Sequence, residues 1–273
     1  MKNISVIGLG WFGSAFAESA KSQYQIMGSH STNHKVAESK ADGIKRYYFN
    51  LLDADSFGNL SALFDTDAVI LNIPPSLGGL GKEGAYGKGM RQILKELNNS
   101  KVLQLIFISS TGVFGGHQFL VNEMTAPEPY TENGRILLEA EKLFLREFKQ
   151  TSIIIRPAGL VGGNRHPGRF MAEKQDIKGR LHPVNIVHRE DLILAVHGAM
   201  AAKRTAIYHA VASEHPSKQA FYTAAALALG APAPDFLIKD KSSGKMVSGE
   251  WTKNQLDAAF RYENPMAMLE NWT

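Results

Sequence analysis

The chain has 273 residues, a formal net charge of +4 and no cysteine, and 44% of its residues are hydrophobic. This length and apolar content are sufficient for one large α/β domain, or for one domain with a smaller lobe. The lack of cysteine excludes disulfides, thiolate zinc sites and a cysteine nucleophile, so a reducing cytoplasm is the expected location. The basic residues are scattered and no apolar run is long enough to cross a bilayer, so we expect neither nucleic acid nor a membrane as partner.

The first predicted strand leads directly into a glycine-rich turn. Residues 2–7 are β-rich, and the following Gly-Leu-Gly-Trp-Phe-Gly has the spacing G-x-G-x-x-G and opens a helix. A strand, this turn and a helix start in that order are typical of a dinucleotide site, because the diphosphate binds the N–H groups at the positive helix end. The glycines permit the tight turn, the close approach of the pyrophosphate and the packing of helix on strand. The cofactor contacts predicted here are Gly8, Gly10, Trp11, Phe12 and Gly13.

The segment after the second predicted strand favours NADP over NAD. An NAD site commonly has Asp or Glu about 20 residues after the glycines, where the carboxylate binds the ribose 2′-OH. Residues 28–35 contain no carboxylate but carry hydroxyls, two histidines and a lysine. The residues expected near a 2′-phosphate are Ser29, His30, Ser31 and Lys35. The same residues could instead form only a loop and a helix start, with Thr32 or Asn33 as the N-cap.

Strand-like and helix-like segments alternate through the N-terminal half. The predicted strands are Ile4–Ile7, Gln25–Gly28, Lys45–Tyr48, Ala68–Asn72, Val102–Ser109 and Ser152–Arg156. The predicted helices are Trp11–Ser22, Asn33–Ser39, Ser56–Leu63, Ala85–Leu97 and Thr131–Phe148, the last with an apolar face of Ile136, Ala140, Leu143 and Phe144. Near-continuous apolar runs such as residues 103–108 indicate strands buried on both faces. The pattern therefore predicts an α/β fold with a doubly wound parallel sheet of the Rossmann type.

Beyond about residue 165 the alternation becomes irregular. We expect a dinucleotide-binding domain at residues 1–165 and a small, mixed substrate-side lobe at residues 166–273, part of which returns to the main domain. Helices are expected at Glu190–Met200 and Lys218–Leu229, and a last helical piece near Trp251. The loops that follow strand ends are Pro74–Gly84, Thr111–Tyr130 and Pro157–Gly168. Open α/β sheets bind ligands at the carboxyl ends of their strands, so these loops favour a cleft.

Four later segments carry motifs in a recognisable order. Residues 109–115 read S-S-T-G-V-F-G, residues 156–162 read R-P-A-G-L-V-G, residues 185–191 read N-I-V-H-R-E-D, and residues 251–265 contain T-K-N-Q-L and Y-E-N-P. These segments resemble motifs of the extended short-chain dehydrogenases/reductases, the branch that includes nucleoside-diphosphate-sugar epimerases and dehydratases. The resemblance implies that Ser110 hydrogen-bonds a substrate carbonyl. It further implies cofactor contacts at Asn72, Ile73, Pro74, Ser109, Pro157 and Gly159.

The catalytic Y-x-x-x-K pair of that family is missing. Alignment on Glu139-Ala140-Glu141 places Gly134 at the tyrosine position and Leu138 at the lysine position, and no tyrosine of the chain has a lysine four residues later. Tyrosine has a reference pKa of about 10 and needs a nearby ammonium to act as a base near neutrality. The chain also has G-x-G-x-x-G where extended members usually have G-x-x-G-x-x-G. It therefore resembles the atypical branch, which keeps the nucleotide fold and loses the usual pair.

Several polar residues are candidates for replacement chemistry. The side chains that could line the cleft are Glu123, Tyr130, Arg135, His166 and His188. Arg135 lies beside the missing tyrosine and could bind a phosphate or carboxylate, or it could be an exposed residue of the first helical turn. His188 is more often a structural residue in the family. The catalytic set predicted is Ser110, Arg135 and Tyr130, with no metal site.

Two functions follow from these patterns. The first is an NAD(P)-binding, epimerase/dehydratase-like oxidoreductase that acts on a small anionic substrate, such as a nucleotide sugar. The second is a non-catalytic NADP(H)-binding sensor or regulatory module. We expect a monomer or a homodimer, with NADP as the cofactor and NAD as the alternative.

Overall fold

The computed structural model describes residues 2–37, 42–75, 84–240, 242, 244–270 and 272. Its strands are β1 (Asn3–Ile7), β2 (Gln25–His30), β3 (Lys45–Tyr48), β4 (Ala68–Leu71), β5 (Gln104–Ile108), β6 (Leu120–Val121), β7 (Thr151–Pro157), β8 (Gly159–Val161), β9 (Ile186–His188), β10 (Ala206–Ala210) and β11 (Met246–Val247). Its helices are α1 (Trp11–Ala20), α2 (Asn33–Ala37), α3 (Leu60–Leu63), α4 (Ala85–Asn98), α5 (Glu132–Glu147), α6 (Gly168–Met171), α7 (Arg189–Ala202), α8 (Lys218–Ala228), α9 (Glu250–Leu256) and α10 (Pro265–Glu270). Within the described residues, 3₁₀ helices lie at Ala54–Asn59 and Thr111–Val113. Residues 76–83 of the predicted loop Pro74–Gly84, and the last two residues of the predicted helix Asn33–Ser39, lie outside the described residues.

In the described ranges the central sheet has seven strands in the order β10-β7-β5-β4-β1-β2-β3. The strands from β7 to β3 pair in parallel, with Val6 opposite both Gly28 and Ile70. Every residue of β4 and β5 is buried, as expected for strands covered on both faces. The predicted doubly wound parallel sheet is therefore confirmed. β10 is a seventh strand that the sequence patterns did not indicate.

Helix α5 packs on the sheet through a face that agrees in part with the predicted one. Its buried residues are Gly134, Leu137, Ala140, Glu141 and Phe144. Ala140 and Phe144 are thus buried as predicted, while Ile136 and Leu143 are half-buried. The Phe144 ring meets the Phe107 ring of β5 edge-on at 5.3 Å. The helix begins at Glu132, one residue after the predicted start, because Thr131 is its N-cap and the Thr131 Oγ1 accepts a hydrogen bond from the Gly134 N–H at 3.1 Å.

The chain divides into two compact units that are discontinuous in sequence. The first comprises Met1–Ser110, Thr131–Ile155 and Ala199–Ile207, and the second comprises Thr111–Tyr130, Arg156–Gly198 and Tyr208–Thr273. The second unit has its own apolar core, which includes Val161, Ile186, Phe221, Tyr262 and Met268. The boundary near residue 165 stays a prediction. Among the helices of the described residues, none is long and apolar enough to cross a membrane.

Candidate functional site

The glycine turn after β1 depends on the absence of side chains at two positions. Gly8 has a φ of +104°, and a Cβ there would lie 2.3 Å from the carbonyl oxygen of Asn72. A Cβ on Gly13 would lie 2.2 Å from the carbonyl oxygen of Gly8, so α1 can approach the turn only without a side chain. The Ser29 hydroxyl accepts a hydrogen bond from the Gly8 N–H at 3.2 Å, and the Asn72 amide donates to the Gly8 carbonyl at 3.3 Å. Ser29 and Asn72 therefore hold the turn in position.

Gly10 differs from these two glycines because its missing side chain leaves open space. It is exposed, and a Cβ built on it would meet no atom within 4 Å. Gly10 is the N-cap of α1, no side chain caps the helix start, and the first turn contains no acidic residue. A helix start with these features favours the binding of an anion, because its N–H groups and the positive end of the helix dipole attract negative charge. The turn therefore fits the diphosphate of a dinucleotide.

Two cationic side chains, Arg46 and Lys35, lie near His30 at the carboxyl end of β2. Both Arg46 and Lys35 lower the pKa of His30, in addition to the larger effect of its burial. Arg46 on β3 donates two hydrogen bonds to Asp42, from Nη1 at 2.8 Å and Nη2 at 2.6 Å, and these hold the pKa of Asp42 well below its usual range. Arg46 was missed from the sequence because it lies outside residues 28–35. The parallel pairing of β2 with β3 places it opposite Gly28.

The segment after β4 is fixed by a buried phenol. The hydroxyl of Tyr86, which lies in α4 and is 1% exposed, donates to the Ile73 carbonyl oxygen at 2.7 Å. Burial raises the pKa of Tyr86 well above its usual range, so the phenol stays a donor. Ile73 is itself buried, while Pro74 is exposed and Asn72 is half-buried. Of the predicted contacts here, Asn72 and Pro74 present accessible surface.

A buried hydrogen bond joins the end of β5 to α5. The Ser109 hydroxyl donates to Glu141 Oε1 at 2.5 Å, and the two residues are 8% and 1% exposed. Glu141 lies one helical turn beyond Leu138, the residue at the position of the missing lysine. Sequence reasoning missed it because a glutamate in a helix is normally an exposed residue. The Ser109 hydroxyl is therefore directed into the first unit, and the half-buried Ser110 follows it along the chain.

The other predicted catalytic and cofactor residues differ in how far they are exposed to solvent. Arg135 is exposed and its Nη1 lies 3.0 Å from Glu132 Oε2 on the same helix. Tyr130, in the second unit, is 80% exposed. Pro157 is buried at the end of β7, and Gly159 is exposed at the start of β8. Their roles stay predictions.

Three histidines of the second unit are held in apolar or aromatic surroundings. The His188 ring lies against the Tyr262 ring, tilted by 39°, with centroids 3.8 Å apart, and the centroids of the His166 and Trp272 rings are 4.3 Å apart. Burial lowers the pKa of His188 to about 4 and that of His209 to about 4 as well. At neutral pH both rings are therefore uncharged. Among the described residues, no group of three His, Asp or Glu side chains could hold a metal ion.

Solved structures with the same fold cover nearly the whole chain. UDP-glucuronic acid 4-epimerase from Bacillus cereus, in complex with NAD, is 18% identical with a TM-score of 0.79, over 98% of this chain and 96% of that one. A structure of the same enzyme with UDP-glucuronic acid and NAD has a TM-score of 0.77 at 17% identity, over 98% and 96% of the two chains. A short-chain dehydrogenase/reductase superfamily protein from Agrobacterium tumefaciens with bound NAD has a TM-score of 0.79 at 16% identity, over 98% and 95%. The protein therefore has the fold of the short-chain dehydrogenases/reductases.

A closer similarity is found in sequence. The chain is 36% identical over 275 residues to Protein YeeZ of Escherichia coli strain K12, which covers 98% of this chain and 99% of that protein. It belongs to the same family as Protein YeeZ. No family model matches the chain.

Proposed function

We propose that this protein binds NADP(H) at the turn Gly8–Gly13 and is an epimerase/dehydratase-like oxidoreductase. Its substrate is a small anionic molecule of the nucleotide-sugar class, and it acts without the usual tyrosine–lysine pair. The observation that carries the proposal is the open space at Gly10 beside two glycines that accept no side chain. Structures of similar fold support it, because they are complexes with NAD and, in one case, with UDP-glucuronic acid as well.

Each residue has a defined task in this proposal. The α1 N-terminus binds the diphosphate, and Asn72 and Ser29 keep the turn in shape. Bound cofactor would supply a hydride acceptor and donor. The Ser110 hydroxyl donates a hydrogen bond to the substrate carbonyl, while Glu141 keeps the neighbouring Ser109 in place. Positions 134 and 138 carry glycine and leucine, so proton transfer belongs to another group.

We expect NADPH to bind more tightly than NADH, and Lys35 to be one cause. Replacing Lys35 by alanine should weaken NADPH binding about tenfold, because a phosphate loses one charge-assisted contact. The affinity for NADH should change less than twofold, since NADH has no 2′-phosphate. Fluorescence titration with both cofactors measures the two dissociation constants.

The matched control is Lys21→Ala, which removes an exposed lysine that pairs with Glu18 near the other end of α1. It should leave both affinities unchanged. Equal losses of NADPH and NADH affinity in Lys35→Ala would remove the argument for a 2′-phosphate at this position.

A second candidate function is a non-catalytic NADP(H) sensor, which the missing tyrosine–lysine pair favours. The two functions separate in a turnover assay with NADP(H) and a panel of nucleotide sugars and carbonyl compounds. If the protein is an enzyme, one substrate should be converted, and Ser110→Ala should lower kcat/KM about 100-fold because an oriented donor to the carbonyl is lost. Tight cofactor binding without turnover would favour the sensor. Failure to bind either cofactor at millimolar concentration would refute both functions.

A further inference from the structure

A lysine from the C-terminal part of the second unit holds the turn that follows Ser110 in the chain. The Lys245 Nζ donates hydrogen bonds to the carbonyl oxygens of Thr111 at 2.8 Å and Phe114 at 2.6 Å. These carbonyls belong to the start of the 3₁₀ helix Thr111–Val113 and to the residue just after it. The ammonium thus binds the segment that directly follows Ser110, the residue predicted to bind the substrate.

The backbone on both sides of this lysine is fixed. The Asn185 side chain donates to the Lys245 carbonyl oxygen at 2.9 Å and accepts from the Val247 N–H at 2.8 Å. β11 pairs in parallel with β6, and the Met246 N–H donates to the Phe119 carbonyl oxygen at 2.7 Å. The position of the ammonium is therefore set before any ligand binds, which reduces the entropic cost of binding.

The charge of this lysine has no counter-charge in the described part of the chain. Its two acceptors are neutral carbonyls, whereas a lysine ammonium has three N–H donors. Lys253, in the same unit, shows the usual arrangement: its side chain is 11% exposed and its Nζ lies 2.7 Å from Glu250 and 3.1 Å from Glu263. Burial lowers the pKa of Lys245, with no carboxylate to oppose it. A partly buried cation normally has an anionic partner.

We propose that the Lys245 ammonium binds an anionic group of the substrate, a phosphate or a carboxylate, through its third N–H. This inference rests on the proposed function, because it takes the anionic substrate class from it. In the short-chain dehydrogenases/reductases, the lysine of the Y-x-x-x-K pair supplies an ammonium from the helix. This chain has Leu138 at that position, and Lys245 supplies an ammonium from a distant part of the sequence. Its task here is binding and not proton transfer.

The test is calorimetric titration of the full chain, saturated with NADPH, with three probes: UDP-glucuronic acid, UDP-glucose and glucuronate. Lys245→Met should weaken binding about tenfold or more, the usual effect of losing a hydrogen bond to a charged group. Lys245→Arg should stay within about threefold of the wild type because it keeps charge and donors. If Lys245→Met weakens the binding of both UDP-sugars, the ammonium binds the diphosphate. If it weakens only the binding of the two glucuronate-containing probes, the ammonium binds the carboxylate.

The matched control is Lys239→Met, which removes an exposed lysine six residues earlier and should change nothing. If Lys245→Met does not fold, Lys245→Gln replaces it, since its amide can still donate to a carbonyl. Unchanged affinity for all probes in a folded, uncharged variant would overturn the inference. A wild-type protein that binds NADPH but none of the three probes would also overturn it, while the cofactor part of the proposed function would stand.

Discussion

Replacing Gly10 by valine is expected to weaken NADPH binding at least about 100-fold, a loss of roughly 2.7 kcal/mol. The structure shows why binding and folding should separate at this position. A Cβ on Gly10 meets no protein atom within 4 Å, so the added side chain enters only the space that we propose for the diphosphate. The N-cap change itself should cost about 1 kcal/mol, and hence lower Tm by about 2–4 °C. Fluorescence titration and thermal unfolding measure the two effects.

Gly58→Val is the matched control for this variant. Gly58 is also exposed, and its Cβ would likewise meet nothing within 4 Å, but it lies in the 3₁₀ helix Ala54–Asn59 and not in the turn. It should keep wild-type affinity for NADPH. Gly13→Ala should instead destabilise the fold, with a large drop in Tm, because its Cβ would overlap the Gly8 carbonyl oxygen. Wild-type cofactor affinity in Gly10→Val would contradict the assignment of the diphosphate to this turn.

The second large effect is expected at the buried pair of Ser109 and Glu141. Glu141→Ala removes a buried carboxyl group that accepts a hydrogen bond and leaves a void under α5. Such changes typically cost about 3 kcal/mol of unfolding free energy, which corresponds to a Tm lower by about 6–12 °C. Chemical denaturation gives the free energy, and differential scanning calorimetry gives the Tm.

A double-mutant cycle with Ser109→Ala isolates the hydrogen bond from the void. The coupling free energy between the two substitutions should be about 1–3 kcal/mol, because each single variant leaves a buried polar group without this partner. Glu139→Ala is the control, since Glu139 is exposed on the same helix and pairs with Lys142. Additive effects of Ser109→Ala and Glu141→Ala would show that the pair is not energetically coupled.

The part of the fold that follows from the sequence is the part dictated by local patterns. Six strands of the central sheet were predicted from short strand-like runs, several of them apolar, and the turn at Gly8–Gly13 from its glycine spacing. β10 was missed because Ala206–Ala210 is short and ends in an irregular region, so its pairing is decided by tertiary contacts. The apolar face of α5 was shifted for a similar reason, since a buried glutamate breaks the expected pattern of hydrophobic residues.

The charged residues that sequence reasoning missed, in either unit, have partners that lie far away in the sequence. Arg46 lies beside His30 only because β2 and β3 pair in parallel. Glu141 meets Ser109 across 32 positions, and Lys245 meets Thr111 across 134. Charged residues normally face solvent, so nothing in the local sequence distinguishes these three from the other charges. Only the folded chain shows that Glu141 is buried and that Arg46 and Lys245 are partly buried.

The parallel pairing of β6 with β11 has a consequence for biosynthesis. Val121 emerges from the ribosome well before its partner Val247, so the backbone groups of β6 can form this ladder only after the intervening chain has been synthesised. Contacts so distant in sequence slow folding, because a long loop must close before any stabilising interaction is gained. The second unit therefore completes its structure only after Val247 has been synthesised. During that interval the edge of β6 is unpaired, and unpaired strand edges in incompletely folded chains are prone to aggregation.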